Sequence, residues 1–344
     1  MAAMPDIRWW HMREIHSVGP MNLNVAVLGL GRMGAAIAVR LAGAGWSVTG
    51  WNRTPRGTLP GVAVAGDLAA AVADAGVVIT MLTDGAAVLD VLGRVPLGRG
   101  TVVVEMSTIG PDSVRAVAAL LPAGVALVDA PIGGSVGAAA AGTLRILAGG
   151  DAADVARVRP VLDALGTVQH RGPLGAGAAA KVVLNAAMIT AVAALADVLT
   201  IAGAAGLARA DALELLRGGP LGAAVERAGA PARAAHFPVA LAAKDLGLAI
   251  AATRPRADAQ TNVPVANATR HHAGAQTEVP VVEGAQTEVP VAEDAQTDVP
   301  VVEGAQTDVP VVEGARLKLA EAARERGGAR AVPDADLSVL VREA

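Results

Sequence analysis

One lysine stands where a charge is hard to place. Lys181 follows five small residues in AGAAAKVVLN and precedes three aliphatic ones, and no further charge occurs until Asp197. Such a lysine is either buried at a cost or functional. As an ammonium it could give a proton to a carbonyl oxygen during a reduction. As an amine it could take the proton of an alcohol during an oxidation, and acid–base help of this kind contributes about 10²–10⁴ in rate. Asn185 lies four residues on, one helical turn later and on the same face, where it could orient a substrate oxygen or the lysine. The alternative is a lysine that snorkels from a helix carrying a surface asparagine.

A second group of residues suits a dinucleotide. GLGRMG (29–34) places Gly29, Gly31 and Gly34 as G-x-G-x-x-G, directly after the strand-like NVAVLGL and at the start of the helix-like MGAAIAVRLAGAG. In that context the glycines permit a tight turn, a close backbone approach to pyrophosphate, and helix-on-strand packing. Leu30, Arg32 and Met33 then complete the cradle at a helix N-terminus rich in amide donors. A glycine turn without a ligand is the competing reading. The end of the next strand reads Asn52-Arg53-Thr54, where a site for NAD usually offers Asp or Glu to the ribose. Arg53 can instead pair with a 2′-phosphate. A charge-assisted hydrogen bond is worth about 1.5–3 kcal/mol, or about ten- to a hundredfold, so the expectation is NADP(H) over NAD(H).

The elements that must position these residues follow from patterning. Short β-branched runs at 24–30, 47–52, 77–82, 101–107, 126–132 and 144–150 alternate with Ala-rich helical stretches, the pattern of a mainly parallel sheet covered on both faces. After His170 the alternation stops, and helices are expected over 176–205, 211–219, 239–252, 315–328 and 334–344. The fold class expected is an α/β Rossmann-type doubly wound domain (22–175) followed by an all-α domain (176–253 and 305–344). A leader, 1–21, precedes them. In the leader, Trp9 and Trp10 form either a loose tail or a contact patch. Residues 182–206 are apolar enough for a bilayer span, but Asn185 and Asp197 interrupt them and Ala and Gly dominate. A helix buried on all sides in a larger core is the preferred reading.

Composition narrows the chemistry further. The 344 residues contain no cysteine, which excludes disulfides, thiolate chemistry and Cys-based zinc sites. A net charge of −4 gives no reason to expect nucleic acid or an anionic membrane as partner. With four Trp, one Phe and no Tyr, the core must be aliphatic. The N-terminus has no apolar run of signal-peptide length, so a cytoplasmic location is expected. The six histidines, among them His11, His16, His170, His236 and the His271-His272 pair, show no metal or triad spacing, and no metal is assigned.

Five motifs in order carry a resemblance: the glycine turn with WNRTP (51–55), MSTIGP (106–111), DAPIGGSVGAAAAGTLRILAGG (129–150), GPLGAGAAAKVVLN (172–185) and KDLGLA (244–249). Over 22–253, and again over 305–344, the chain resembles the β-hydroxyacid dehydrogenases, the group of 3-hydroxyisobutyrate dehydrogenase and the semialdehyde reductases. The resemblance makes Lys181 the proton-transfer residue with Asn185 beside it. It also implies that the loop Gly133-Gly134-Ser135 receives a substrate carboxylate, although many relatives carry serine where this chain has Gly133. Lys244 is expected to reach cofactor and substrate, unless it forms only a surface Lys–Asp pair. Ser107 and Thr108 are expected beside the nicotinamide ribose, and Met81 and Leu82 along the cleft, unless they are only core. The family implies a homodimer through the long helix.

Two other functions compete. An imine reductase has the same plan, but such relatives generally carry Asp or Tyr where this chain has Lys181. A catalytically silent dinucleotide-binding protein would have lost the lysine or the glycine turn, and both are present. Its one support is a low-complexity insertion, 254–304, built on the decapeptide AQTDVPVVEG, which matches no solenoid period and cannot bury a face of its own. The last copy runs into ARLKLAEAAR. There Thr307 or Asp308 could cap a helix, Pro310 suits its first turn, and Val311, Val312, Leu317 and Leu319 could form its apolar face.

Overall fold

The computed structural model describes residues 24–229 and 237–254, together with positions 311, 312, 314, 315 and 317. The expected leader, the repeat insertion beyond Arg254, Thr307, Asp308, Pro310, Leu319 and the helices expected after 317 lie outside the described residues, as do all the histidines except His170.

The first half builds one nine-stranded sheet. Its strands are β1 Asn24–Leu28, β2 Ser47–Trp51, β3 Val62–Val64, β4 Val77–Thr80, β5 Val102–Glu105, β6 Ala126–Asp129, β7 Ile132–Gly133, β8 Leu144–Gly149 and β9 Gly166–Gly172. They lie in the order β3-β2-β1-β4-β5-β6-β8-β7, with β9 also paired to β8. Six strands from β3 to β6 are parallel, and β1 sits between β2 and β4. The order of strands therefore reverses at β1, and the crevice beyond the carboxyl ends of β1 and β4 is where a ligand fits such a sheet.

Alternation along β1 explains the two-faced core. Val25 and Val27 pack with Ile37 and Leu41 of α1 (Arg32–Gly43) and with Val158 and Leu162 of α6 (Ala152–Asp163). Ala26 and Leu28 face the other way, toward Val72 of α2 (Leu68–Val72), Val88 of α3 (Gly85–Leu92) and Val117 of α4 (Gly110–Leu120). Each fully buried Leu or Ile contributes about 1.5–3 kcal/mol, which is how a core with few aromatics suffices.

Two strands depart from the expected pattern. The run 126–132 is not one strand: it stops at Asp129, and Pro131, which has no N–H to give a ladder, separates β6 from β7. Beyond that break β8 runs antiparallel to both β6 and β7, then parallel to β9. Neither β3 nor β9 was among the expected strands; β3 is only three residues long, and in β9 only Val168 is buried.

The helical half comprises α7 (Ala176–Ala204), α8 (Arg209–Arg217), α9 (Gly222–Gly229) and α10 (Val239–Ala252), with the short α5 (Val136–Ala141) belonging to the sheet half. Its core gathers Ile189, Val192, Leu195 and Leu199 of α7 with Ala212, Val225, Ala242, Leu246 and Ala315. Val312 packs on this core, whereas Val311 and Leu317 are exposed, so the apolar face expected of that segment is formed by Val312 and Ala315 instead. Positions 312 and 315 are one turn apart, which explains the substitution.

α7 is long and apolar enough to cross a membrane by length and composition. Contrary to the expectation from its sequence, it is not buried on all sides. One face carries the core, and the opposite face leaves Val183 68% and Ile201 66% exposed.

Candidate active site

The glycine turn closes over β1 as its spacing implies. Gly29 has φ 103°, and a Cβ there would lie 2.3 Å from the Met81 carbonyl oxygen. A Cβ on Gly34 would lie 1.8 Å from the Gly29 carbonyl oxygen. By contrast, nothing stands within 4 Å of a Cβ built on Gly31, the N-cap of α1, and no side chain caps that helix. The first-turn amides of α1, from Arg32 to Gly34, have no carbonyl of their own helix to bond. Two close approaches and one open glycine at an uncapped helix start fit a dinucleotide pyrophosphate, which these amides would hold.

Four residues that follow β2 lie at or beside this turn. Asn52 Oδ1 accepts from Leu30 N at 3.0 Å, and its Nδ2 donates to Thr54 O at 2.8 Å, so Asn52 clamps the turn from within. Arg53 and Thr54 are exposed beside it. Arg56, which sequence reasoning passed over, donates from Nε to the Leu30 carbonyl at 2.6 Å. That bond brings a second guanidinium to the turn beside the exposed Arg32.

The neighbouring strand ends are tied together by a buried acid that the sequence did not mark. Glu105, at the end of β5, is 1% exposed. Its Oε1 accepts from Ser107 N at 2.6 Å, and Thr80 Oγ1, at the end of β4, donates to its Oε2. Burial pushes the Glu105 carboxyl up to about 7, against the hydrogen bonds from Ser107 and Thr80. Ser107 Oγ in turn accepts from Leu82 N at 2.9 Å. Met81, Leu82, Ser107 and the glycine turn are thus brought together as one wall. Met81 and Leu82 also pack against the sheet core.

Lys181 arrives from the other half on α7. A buried aspartate fixes the start of that helix: Asp129, at the end of β6, accepts from Gly175 N (2.7 Å, Oδ1) and from Ala178 N (2.6 Å, Oδ2). Burial raises the Asp129 pKa, and the amides of Gly175 and Ala178 oppose the rise. Gly177 permits the approach, because a Cβ there would lie 2.1 Å from the Leu147 carbonyl oxygen. One turn further on, Lys181 is partly buried among these elements. Burial lowers its pKa to about 8; Asp245 resists the fall, while the charges of Arg145, Lys244 and Arg227 add to it.

Asn185 and Lys244 meet at Asp245, which is only 2% exposed. Asn185 Nδ2 donates to Asp245 Oδ2 at 2.6 Å. Lys244 Nζ stands 3.0 Å from Asp245 Oδ1 and donates to the Thr108 carbonyl at 2.5 Å. A Lys–Asp pair does form here, but it is not a surface pair: it joins α10 to the segment after β5. One chain of contacts therefore runs from Asn185 through Asp245 and Lys244 to Thr108. Asp245 is the acid that opposes the loss of the Lys181 charge. The acid was visible in KDLGLA, but its burial was not.

The loop expected to receive a substrate carboxylate, Gly133-Gly134-Ser135, runs from β7 into α5. Ser135 Oγ accepts from Ala138 N at 3.3 Å and caps α5, which leaves its O–H able to donate. Gly134 has φ 138°, a region that favours glycine. Gly133 pairs in register with Arg145 of β8.

Known proteins match the chain in sequence and in fold. Residues 24–184 match the family described as the NAD binding domain of 6-phosphogluconate dehydrogenase. Residues 175–278 match the NAD-binding domain of NADP-dependent 3-hydroxyisobutyrate dehydrogenase. A probable 3-hydroxyisobutyrate dehydrogenase of Mycobacterium tuberculosis is 38% identical over 204 residues, 56% of this chain and 69% of that protein. The NAD-dependent L-serine dehydrogenase of Pseudomonas aeruginosa is 36% identical over 249 residues, covering 65% of this chain and 83% of that one. Among solved structures, Mycobacterium tuberculosis 3-hydroxyisobutyrate dehydrogenase with L-serine aligns with a TM-score of 0.67 at 27% identity, over 93% of this chain and 98% of that chain. With the glycine turn, the partly buried lysine and these matches in agreement, the chain belongs to the β-hydroxyacid dehydrogenase family, NAD(P)-dependent oxidoreductases that act on CH–OH groups.

Proposed function

We propose that the protein is an NADPH-dependent reductase of a small semialdehyde or oxo acid, reversible as the dehydrogenase of the matching β-hydroxy acid. The carrying observation is Lys181, a lysine with its pKa lowered to about 8 on the helix that also presents Asn185. The nicotinamide supplies or takes the hydride. Lys181 gives the proton to the carbonyl oxygen in reduction and takes it from the alcohol in oxidation. Asn185 is held by Asp245 and offers a fixed polar group one turn away. Preference for NADPH is supported by Arg53 and Arg56 near the turn and by the absence of an acid among Asn52, Arg53 and Thr54. Consumption of NADPH and NADH should be followed with glyoxylate, succinic semialdehyde, tartronate semialdehyde and methylmalonate semialdehyde, and with a cyclic imine. The expected result is turnover of at least one acid with NADPH favoured about ten- to a hundredfold. Equal kcat/KM for the two cofactors would remove the NADPH assignment. Turnover of the imine alone would replace the reaction.

The exposed face of α7 supports a homodimer. Val183, Leu184 and Ile201 lie on that helix and Leu215 on α8, all exposed and apolar. Small neighbours such as Ala179 and Ala187 permit close helix approach. Light scattering of the full chain should give twice the 34.1 kDa chain mass. A monomeric mass contradicts the assignment.

A further inference from the structure

The loop expected to meet the substrate contributes two glycines and a serine whose hydroxyl oxygen caps α5. Its strongest polar neighbour comes from across the sheet. Ile132 pairs with Ile146, and both face the sheet core; Gly133 pairs with Arg145, so by alternation this pair faces the opposite side. α7 packs on that side, since its Gly177 lies against the Leu147 carbonyl. A Cβ built on Gly133 would meet the Arg145 guanidinium at 3.5 Å from Nε and 3.6 Å from Nη2. The guanidinium thus lies over Gly133, where any other residue would have a side chain. Among the described residues no carboxylate pairs with it. Its charge also reaches Lys181.

We infer that Arg145 is a specificity-determining residue that binds the carboxylate of the substrate over Gly133, beside the Lys181 amine. A guanidinium offers a planar fork that matches a carboxylate with two parallel hydrogen bonds. Gly133 and Gly134 carry no side chain that would crowd the fork or the carboxylate it holds. The acid end is then fixed by the fork beside the loop, and the reacting carbon is left facing Lys181. This assignment rests on the proposed reaction only for the identity of the ligand as a small hydroxy acid.

The test compares an acid with its neutral ester. Binding of 3-hydroxyisobutyrate and of its methyl ester to the full chain saturated with NADP⁺ is measured by calorimetry, for the wild type and for Arg145→Thr and Arg145→Lys. The expected result is that Arg145→Thr weakens the acid about ten- to a hundredfold and leaves the ester unchanged, with Arg145→Lys in between. Unchanged NADP⁺ affinity in both variants shows that they fold. The inference is overturned if Arg145→Thr binds the acid as tightly as the wild type, or if the wild type does not distinguish acid from ester. Tight acid binding without turnover by the wild type would sink the reductase reading and leave this one standing. Normal acid turnover and binding in Arg145→Thr would do the reverse.

Discussion

Lys181→Ala should lower turnover about 10²–10⁴-fold while leaving NADPH binding near normal. The size follows from the role: the variant removes the group that moves the proton but touches neither the glycine turn nor the wall formed by Met81, Leu82 and Ser107. Lys181→Arg is the sharper comparison, because a guanidinium stays charged and cannot accept the alcohol proton. It should lose oxidation as fully as alanine does. Steady-state turnover in both directions, with cofactor binding followed by fluorescence, measures the effect. Near-normal turnover in Lys181→Ala would remove the mechanism.

The same lysine fixes the pH dependence and its sign. Burial lowers its pKa from the ordinary 10.5 to about 8, with Asp245 limiting the shift. The amine fraction rises with pH through that value, so kcat/KM for oxidation should rise up to about pH 8 and then level. The ammonium fraction falls over the same interval, so reduction should decline above about pH 8. An exposed lysine would put both transitions about two units higher. The profiles therefore separate a lysine working in a partly buried site from one that merely snorkels.

What could be read from the sequence was whatever a short segment decides by itself. The glycine turn is such a case: Gly29, Gly31 and Gly34 lie within six residues, and each position has a distinct steric reason. Lys181 was legible because its neighbours on both sides are apolar. Asp129 and Glu105 were not, because each ends an apolar strand and bonds to atoms distant in sequence: Glu105 to Thr80, Asp129 to Gly175 and Ala178. Arg145 resembled an ordinary polar position in LRILAGG; only the antiparallel register with Gly133 gives it a place. The same register was hidden by Pro131, which divided an apolar run that looked continuous. Asn52 was legible in place but not in use, since its amide clamps the turn.

Asp129→Ala should be the most destabilising substitution near the site. The carboxylate accepts two buried amides at the first turn of α7, Gly175 N at 2.7 Å and Ala178 N at 2.6 Å. Removing it leaves both donors without an acceptor, at about 1–3 kcal/mol each, and so roughly 2–6 kcal/mol in total. Asp129→Asn keeps the shape and one acceptor oxygen but turns an NH₂ toward the other amide, so its loss should be intermediate. Chemical denaturation of the full chain with NADPH absent gives the ordering wild type, Asn, Ala. Turnover should fall in the same order, because Lys181 lies one turn beyond Gly177, and a displacement of about 1 Å at a reacting group can cost about a hundredfold. An Asp129→Ala protein with the wild-type midpoint would mean that the start of α7 is held by something other than this carboxylate.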